Sequence, residues 1–135
     1  LQTAQRNAVK LEVANRFELQ KSNWFEQIKG QFDLIVSNPP YISEDEIPHL
    51  DREVRLYDPL TALSPGRNAL QAYQNIIGVA NGYLKPGGRL LVEIGFRQGG
   101  AVHDLFASNG FEMIQTMQDL NGLDRVVCAI KAETE

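Results

Sequence analysis

The stretch Ser37-Asn38-Pro39-Pro40-Tyr41 brings together groups suited to gripping a planar nitrogen. The Asn38 side-chain carbonyl and the Pro39 backbone carbonyl can both accept from one –NH2 group. Tyr41 can lay its ring against a flat amide or base. Asn38 and Pro39 each precede a proline, which pushes both to extended backbone angles, and Pro40 adds rigidity. An amide nitrogen is a poor nucleophile, because the conjugation that keeps the group planar ties up its lone pair. Acceptors placed where positive charge develops at that nitrogen stabilise the transition state more than the ground state. The chemistry indicated is alkylation of an amide or aromatic amine nitrogen. A proline pair that merely ends a strand, with an incidental Asn and Tyr, is the plainer alternative.

The elements around this stretch must hold it in place. Phe32-Asp33-Leu34-Ile35-Val36 reads as a strand buried on both faces, as in a parallel sheet. The prolines lack the N–H that would continue its ladder. The chain therefore leaves the sheet at Asn38, at the carboxyl end of the strand, where open α/β sheets bind ligands. Upstream, Leu1, Ala4, Ala8 and Leu11 fall on one helical face, and Arg16 to Gln20 alternates like a short strand. Ser22 to Phe25 begins a turn leading to Gly30. Downstream, positions 42–67 show little periodicity, but Ile47, Leu50, Val54, Leu56, Tyr57 and Leu60 predict an ordered flap. Asn68 with Gln71 predicts a capping box for a helix through Leu70, Tyr73, Ile77, Ala80 and Leu84, with Lys85 in its last turn and Pro86-Gly87-Gly88 as its stop. Leu90 to Ile94 predicts a second buried strand, Val102, Leu105 and Phe106 a shorter helix closed by Asn109-Gly110. Phe111–Met117 and Val126–Ile130 then predict an antiparallel hairpin before a polar, frayed tail from Lys131. Alternating helices and buried strands give an α/β sheet in a single domain.

Composition narrows the class. A net charge of −4 and a pI near 5.2 argue against a nucleic-acid backbone as the main partner. The single cysteine, Cys128, excludes an intrachain disulfide and points to a reducing compartment. No apolar run reaches the length of a membrane span and no secretory leader is recognisable, so a cytoplasmic protein is expected.

Asn-Pro-Pro-Tyr after a buried strand resembles the signature of S-adenosylmethionine-dependent methyltransferases acting on exocyclic or amide nitrogens. The nearest resemblance is to the HemK/PrmC family, the glutamine methyltransferases of peptide chain release factors. It is carried by Ala4 to Ala8, by Asp33 to Ile42, by Glu53-Val54-Arg55 and Asp58 to Leu63 in the flap, and by Glu93-Ile94-Gly95 with Gln98-Gly99. Asp58-Pro59 stands where the family usually has Glu-Pro, and Asn68-Ala69-Leu70 where it has Asp-Gly-Leu. The resemblance implies a class I, Rossmann-like sheet ending in an antiparallel hairpin. It makes residues 1–135 a partial catalytic domain without the glycine-rich cofactor loop and the first two strands. That implies a gapped sheet, and a chain that alone binds S-adenosylmethionine poorly and is inactive. It also implies roles: Asn38 toward substrate amide and cofactor, Pro39, Pro40 and Tyr41 toward substrate, and Trp24 against the cofactor's adenine, with Asn23 where the family often has Asp. The implied partner is a release factor presenting a Gly-Gly-Gln loop. The alternatives are an adenine or guanine amine methyltransferase acting on a flipped-out base, and a catalytically silent fragment.

Other candidates read as structural. Glu93 in an apolar strand must be paired to be tolerated. Gly95 to Gly100 lacks phosphate-loop spacing and reads as a strand-to-helix turn. His49 and His103 have no second ligand at zinc spacing and read as surface residues. Cys128 in Val-Val-Cys-Ala-Ile reads as a small buried hydrophobe.

Overall fold

The computed structural model describes residues 1–66 and 68–133, which form two compact units, Leu1–Gly30 and Gln31–Glu135. In the first unit, α1 (Gln2–Lys10) buries Ala8, while Leu1 and Leu11 stay exposed. A single 3-10 turn, Ala14–Arg16, follows, and the strand expected over Arg16–Gln20 does not form. A short alternating run with no partner strand has nothing to satisfy its backbone groups.

The second unit carries a four-stranded sheet in the order β1-β2-β4-β3, from β1 (Phe32–Ser37), β2 (Leu84–Glu93), β3 (Phe111–Gln118) and β4 (Asp124–Lys131). β1 and β2 are parallel; β4 runs antiparallel to both β2 and β3. The strands therefore form one continuous sheet, and the internal gap expected between a first strand and β1 is not present. The flap contains a 3-10 segment (Glu44–His49) and two short helices, α2 (Arg52–Tyr57) and α3 (Leu60–Leu63). α4 (Gln71–Ala80) and α5 (Gly99–Ser108) complete the unit.

Helix α4 turns Ala72, Tyr73, Ile76, Ile77 and Ala80 inward, and α5 adds Val102 and Phe106. They close over the row formed by Leu90, Val92, Val127 and Ala129, all fully buried. The Phe106 ring meets Phe111 edge to face, centroids 5.1 Å apart. Each large aliphatic in this layer contributes about 1.5–3 kcal/mol by burial.

Strand β1 departs from expectation. It lies at the edge of the sheet, and Phe32, Leu34 and Val36 on its outward row are 40%, 54% and 66% exposed. The unbroken apolar run does not bring burial on both faces here, because α4 and α5 cover only one face. Glycine matters where β1 meets β2. A Cβ on Gly88 would stand 2.8 Å from the Lys85 carbonyl and 3.1 Å from that of Phe32. Pro86-Gly87-Gly88 accordingly lies inside β2 and does not stop a helix. Helix α4 ends a turn earlier than predicted, and Lys85, placed on the strand, pairs with Asp33 at 3.0 Å.

Two end details also differ. The predicted capping box at Asn68 is replaced by a turn in which the Asn68 side chain accepts from the Leu70 N–H. The capping box that does form joins Ser43 and Glu46 in the flap. Lys131 is no frayed tail residue: its Nζ donates to the carbonyls of Asn81 and Leu84 at 2.7 Å.

Candidate active site

Strand β1 ends at Ser37 and the chain leaves the sheet at Asn38, as the prolines require. Asn38 is exposed, Pro39 buried, and Pro40 and Tyr41 partly buried. Neither the Asn38 side chain nor the Pro39 carbonyl accepts a hydrogen bond from the described residues. Both acceptors remain uncommitted at the carboxyl end of a parallel strand.

Tyr41 is held differently. Its hydroxyl donates to Glu93 Oε1 at 3.0 Å, and its carbonyl accepts from Gln98 Nε2 at 3.0 Å. Burial, reinforced by the Glu93 carboxylate, pushes the Tyr41 hydroxyl above its ordinary value, so it stays a neutral donor. Glu93 is thus the satisfied carboxylate its apolar strand demanded. Burial likewise pushes the Tyr73 hydroxyl up; it lies 2.9 Å from the Glu93 carbonyl and 3.1 Å from Gln98 Oε1.

A cleft of about 370 Å³ opens beside Tyr41. Ile42, Leu50 and Phe96 give it apolar walls, and Arg97, Arg125 and His49 line it with cationic or polar groups. Asn38, Pro39 and Pro40 are not among its lining residues, so the corner meets this cleft through Tyr41. Arg125 is fixed by Asp119 Oδ2 at 3.4 Å and by the Ile94 carbonyl at 3.3 Å. Sequence reasoning did not single out Arg125 or Phe96; the available signal was their place at the carboxyl end of β2 and the start of β4.

The remaining candidates fall as follows. Trp24, in the Leu1–Gly30 unit, has a positive φ of 51° and is 38% exposed. No strand precedes it, which removes the local reason for placing it after one. Gly95 to Gln98 forms the strand-to-helix turn, with the Gln98 N–H on the Gly95 carbonyl at 2.9 Å. His49 and His103 are exposed. Cys128 is half-buried, and burial pushes its thiol up, away from nucleophilic thiolate.

Comparison with known proteins bears on the family and the fold. The family described as Eco57I restriction-modification methylase matches residues 2–91. The chain is 49% identical over 129 residues to a release factor glutamine methyltransferase of Cereibacter sphaeroides, covering 96% of this chain and 46% of that protein. It is 46% identical to the enzyme of the same name from Agrobacterium fabrum, over 94% of this chain and 44% of that one. The chain thus spans about half the length of the curated relatives it matches. The ribosomal protein L11 methylase of Lactobacillus delbrueckii subsp. bulgaricus superposes with a TM-score of 0.62 at 20% identity, covering 97% of this chain and 51% of that one. The fold is that of a class I methyltransferase, in line with the sequence resemblance.

Proposed function

We propose, from the premise that this chain belongs to the Eco57I restriction-modification methylase family, that it carries the substrate corner of a protein-glutamine amide methyltransferase. The substrate is the glutamine of a Gly-Gly-Gln loop in a peptide chain release factor, and the protein is cytoplasmic. No helix among the described residues is long and apolar enough to cross a membrane. The supporting observation is the pair of uncommitted acceptors, Asn38 and the Pro39 carbonyl, on a proline-stiffened strand end.

The Asn38 side-chain oxygen and the Pro39 carbonyl accept the two N–H groups of the glutamine amide. Held there, the nitrogen is turned to offer its lone pair, and the positive charge that develops on it falls between two oxygens. Tyr41, fixed through its hydroxyl and its carbonyl, lends its ring to the wall of the adjoining cleft. No strong base is required, because an alkylated amide nitrogen is acidic and gives up its proton readily.

S-adenosylmethionine fits the corner in part: Asn38, exposed at the end of β1, would meet its methyl-bearing end. When bound, it supplies an electrophilic methyl on a positively charged sulfur. The matched family's description favours a second reading, transfer to an amine of a nucleic-acid base. The intact protein carrying this chain, incubated with methyl-labelled S-adenosylmethionine, distinguishes the two. Label in release factor, lost when the Gly-Gly-Gln glutamine is replaced, supports the first; label in DNA or RNA alone overturns it.

A further inference from the structure

We infer that Gln98, with Glu93 beside it, is a positioning residue that holds the Asn38–Tyr41 corner in its reactive geometry; this rests on the function proposed above. The corner cannot hold itself. Pro39 and Pro40 have no N–H to donate, and the acceptors of Asn38 and Pro39 must stay free for substrate. Its anchors therefore lie at Tyr41 and just beyond, where the Ile42 N–H donates to the Leu63 carbonyl at 2.9 Å.

Gln98 supplies the central anchor. Its Nε2 donates to the Tyr41 carbonyl at 3.0 Å, while its Oε1 accepts from the Gly95 N–H at 2.9 Å. This fixes the amide's orientation: a flip would set N–H against N–H and oxygen against oxygen. The Tyr73 hydroxyl, with one proton between Gln98 Oε1 and the Glu93 carbonyl, ties the same amide to α4. One side chain thus joins α4, the end of β2 and the corner. Glu93 holds the other end of Tyr41 through its hydroxyl. Gly95 makes the approach possible, since a Cβ there would meet Gln98 Oε1 at 3.0 Å and the Tyr41 ring at 3.4 Å.

Gln98→Glu keeps the shape but sets a carboxylate oxygen against the Tyr41 carbonyl; Gln98→Met keeps the length and removes every bond. A positioning role, exerted through Tyr41, changes kcat and spares KM. In the intact protein, with a purified release factor as substrate, both variants should lower kcat about 10²-fold, as a displacement near 1 Å does. KM should stay within about twofold, and Glu93→Gln, which keeps an acceptor for Tyr41, should retain more activity than Glu93→Ala. Where Gln98→Glu fails to fold, Gln98→Met decides. Wild-type kcat in Gln98→Met, or a fall that only follows the folded fraction measured by near-UV circular dichroism, overturns the inference. Asn38→Ala runs in parallel: full transfer by that variant overturns the substrate grip at Asn38 on which this inference rests, while methyl label in DNA or RNA alone overturns the glutamine-methylation reading. Loss in Asn38→Ala alongside normal Gln98→Met overturns only the role of Gln98.

Discussion

The neighbouring parallel strands β1 and β2 end side by side and are finished in opposite ways. At the end of β1, Asn38 and Pro39 hold acceptors that nothing in the described protein uses. At the end of β2, Glu93, Gly95 and Gln98 are bonded to one another's surroundings: Tyr41, Tyr73 and the Gly95 N–H. Burial follows the same division, with Ile94 fully buried and Val36 66% exposed. On the proposed function, one strand end serves as support and the other as a grip, and the support reaches across to Tyr41. A site of this kind keeps its binding groups free by placing its structural hydrogen bonds one residue away.

The contrast can be broken most forcefully beneath the β2 exit. Ile94→Ala should cost about 2–5 kcal/mol in denaturant unfolding, as cavity-forming changes in a core do. Val36→Ala beside the other exit should stay within about 0.5 kcal/mol. Equal losses at the two positions would remove the distinction. Tyr41→Phe sharpens it by deleting one bond of the support, and should cost about 1 kcal/mol. The same variant should lose, in ultraviolet titration, a phenol that ionises above the ordinary value of 10.0. The smallest effect concerns Asp119, which fixes Arg125 at the cleft. The Leu123 and Asn121 N–H groups and Arg125 hold its carboxyl below the ordinary 3.8. A depressed carboxyl contributes stability above its unfolded value and loses it as pH falls through the folded one. Amide exchange in the β3–β4 turn should therefore speed up below about pH 4 in the parent protein, measured relative to Asp119→Asn.

Much of this was legible in the residues, and the exceptions have physical causes. Asn38-Pro39-Pro40 announced the strand end, because proline's missing N–H is a local property. The closing hairpin and α5 were legible for the same reason: strand patterns and Asn109-Gly110 act within a few residues. Helix α4 was read too long, since Pro86-Gly87-Gly88 works as a stop only where no neighbouring strand asks for close approach; β1 asks for it at Gly88. The exposure of β1 was hidden because an apolar run states that a strand suits burial, not which neighbours provide it. The Arg16–Gln20 strand failed for want of a partner. In the site, Glu93 was recognised as needing a partner, yet its pairing with Tyr41, 52 residues away, is a tertiary fact. Arg125 had only its place at the start of β4 as a signal; its bonds to Asp119 and the Ile94 carbonyl become visible only in the fold.

The central claim is that Asn38 grips the amide nitrogen through an acceptor the fold leaves free. The direct measurement is mass spectrometry of the Gly-Gly-Gln peptide after incubating a release factor and S-adenosylmethionine with the intact protein or its Asn38→Ala variant. The account predicts methylated glutamine with the parent and a rate lower by about 10²–10³-fold in the variant, as for loss of one preorganised hydrogen bond, with an unchanged melting temperature. Glutamine methylated at the parent rate by Asn38→Ala would contradict it.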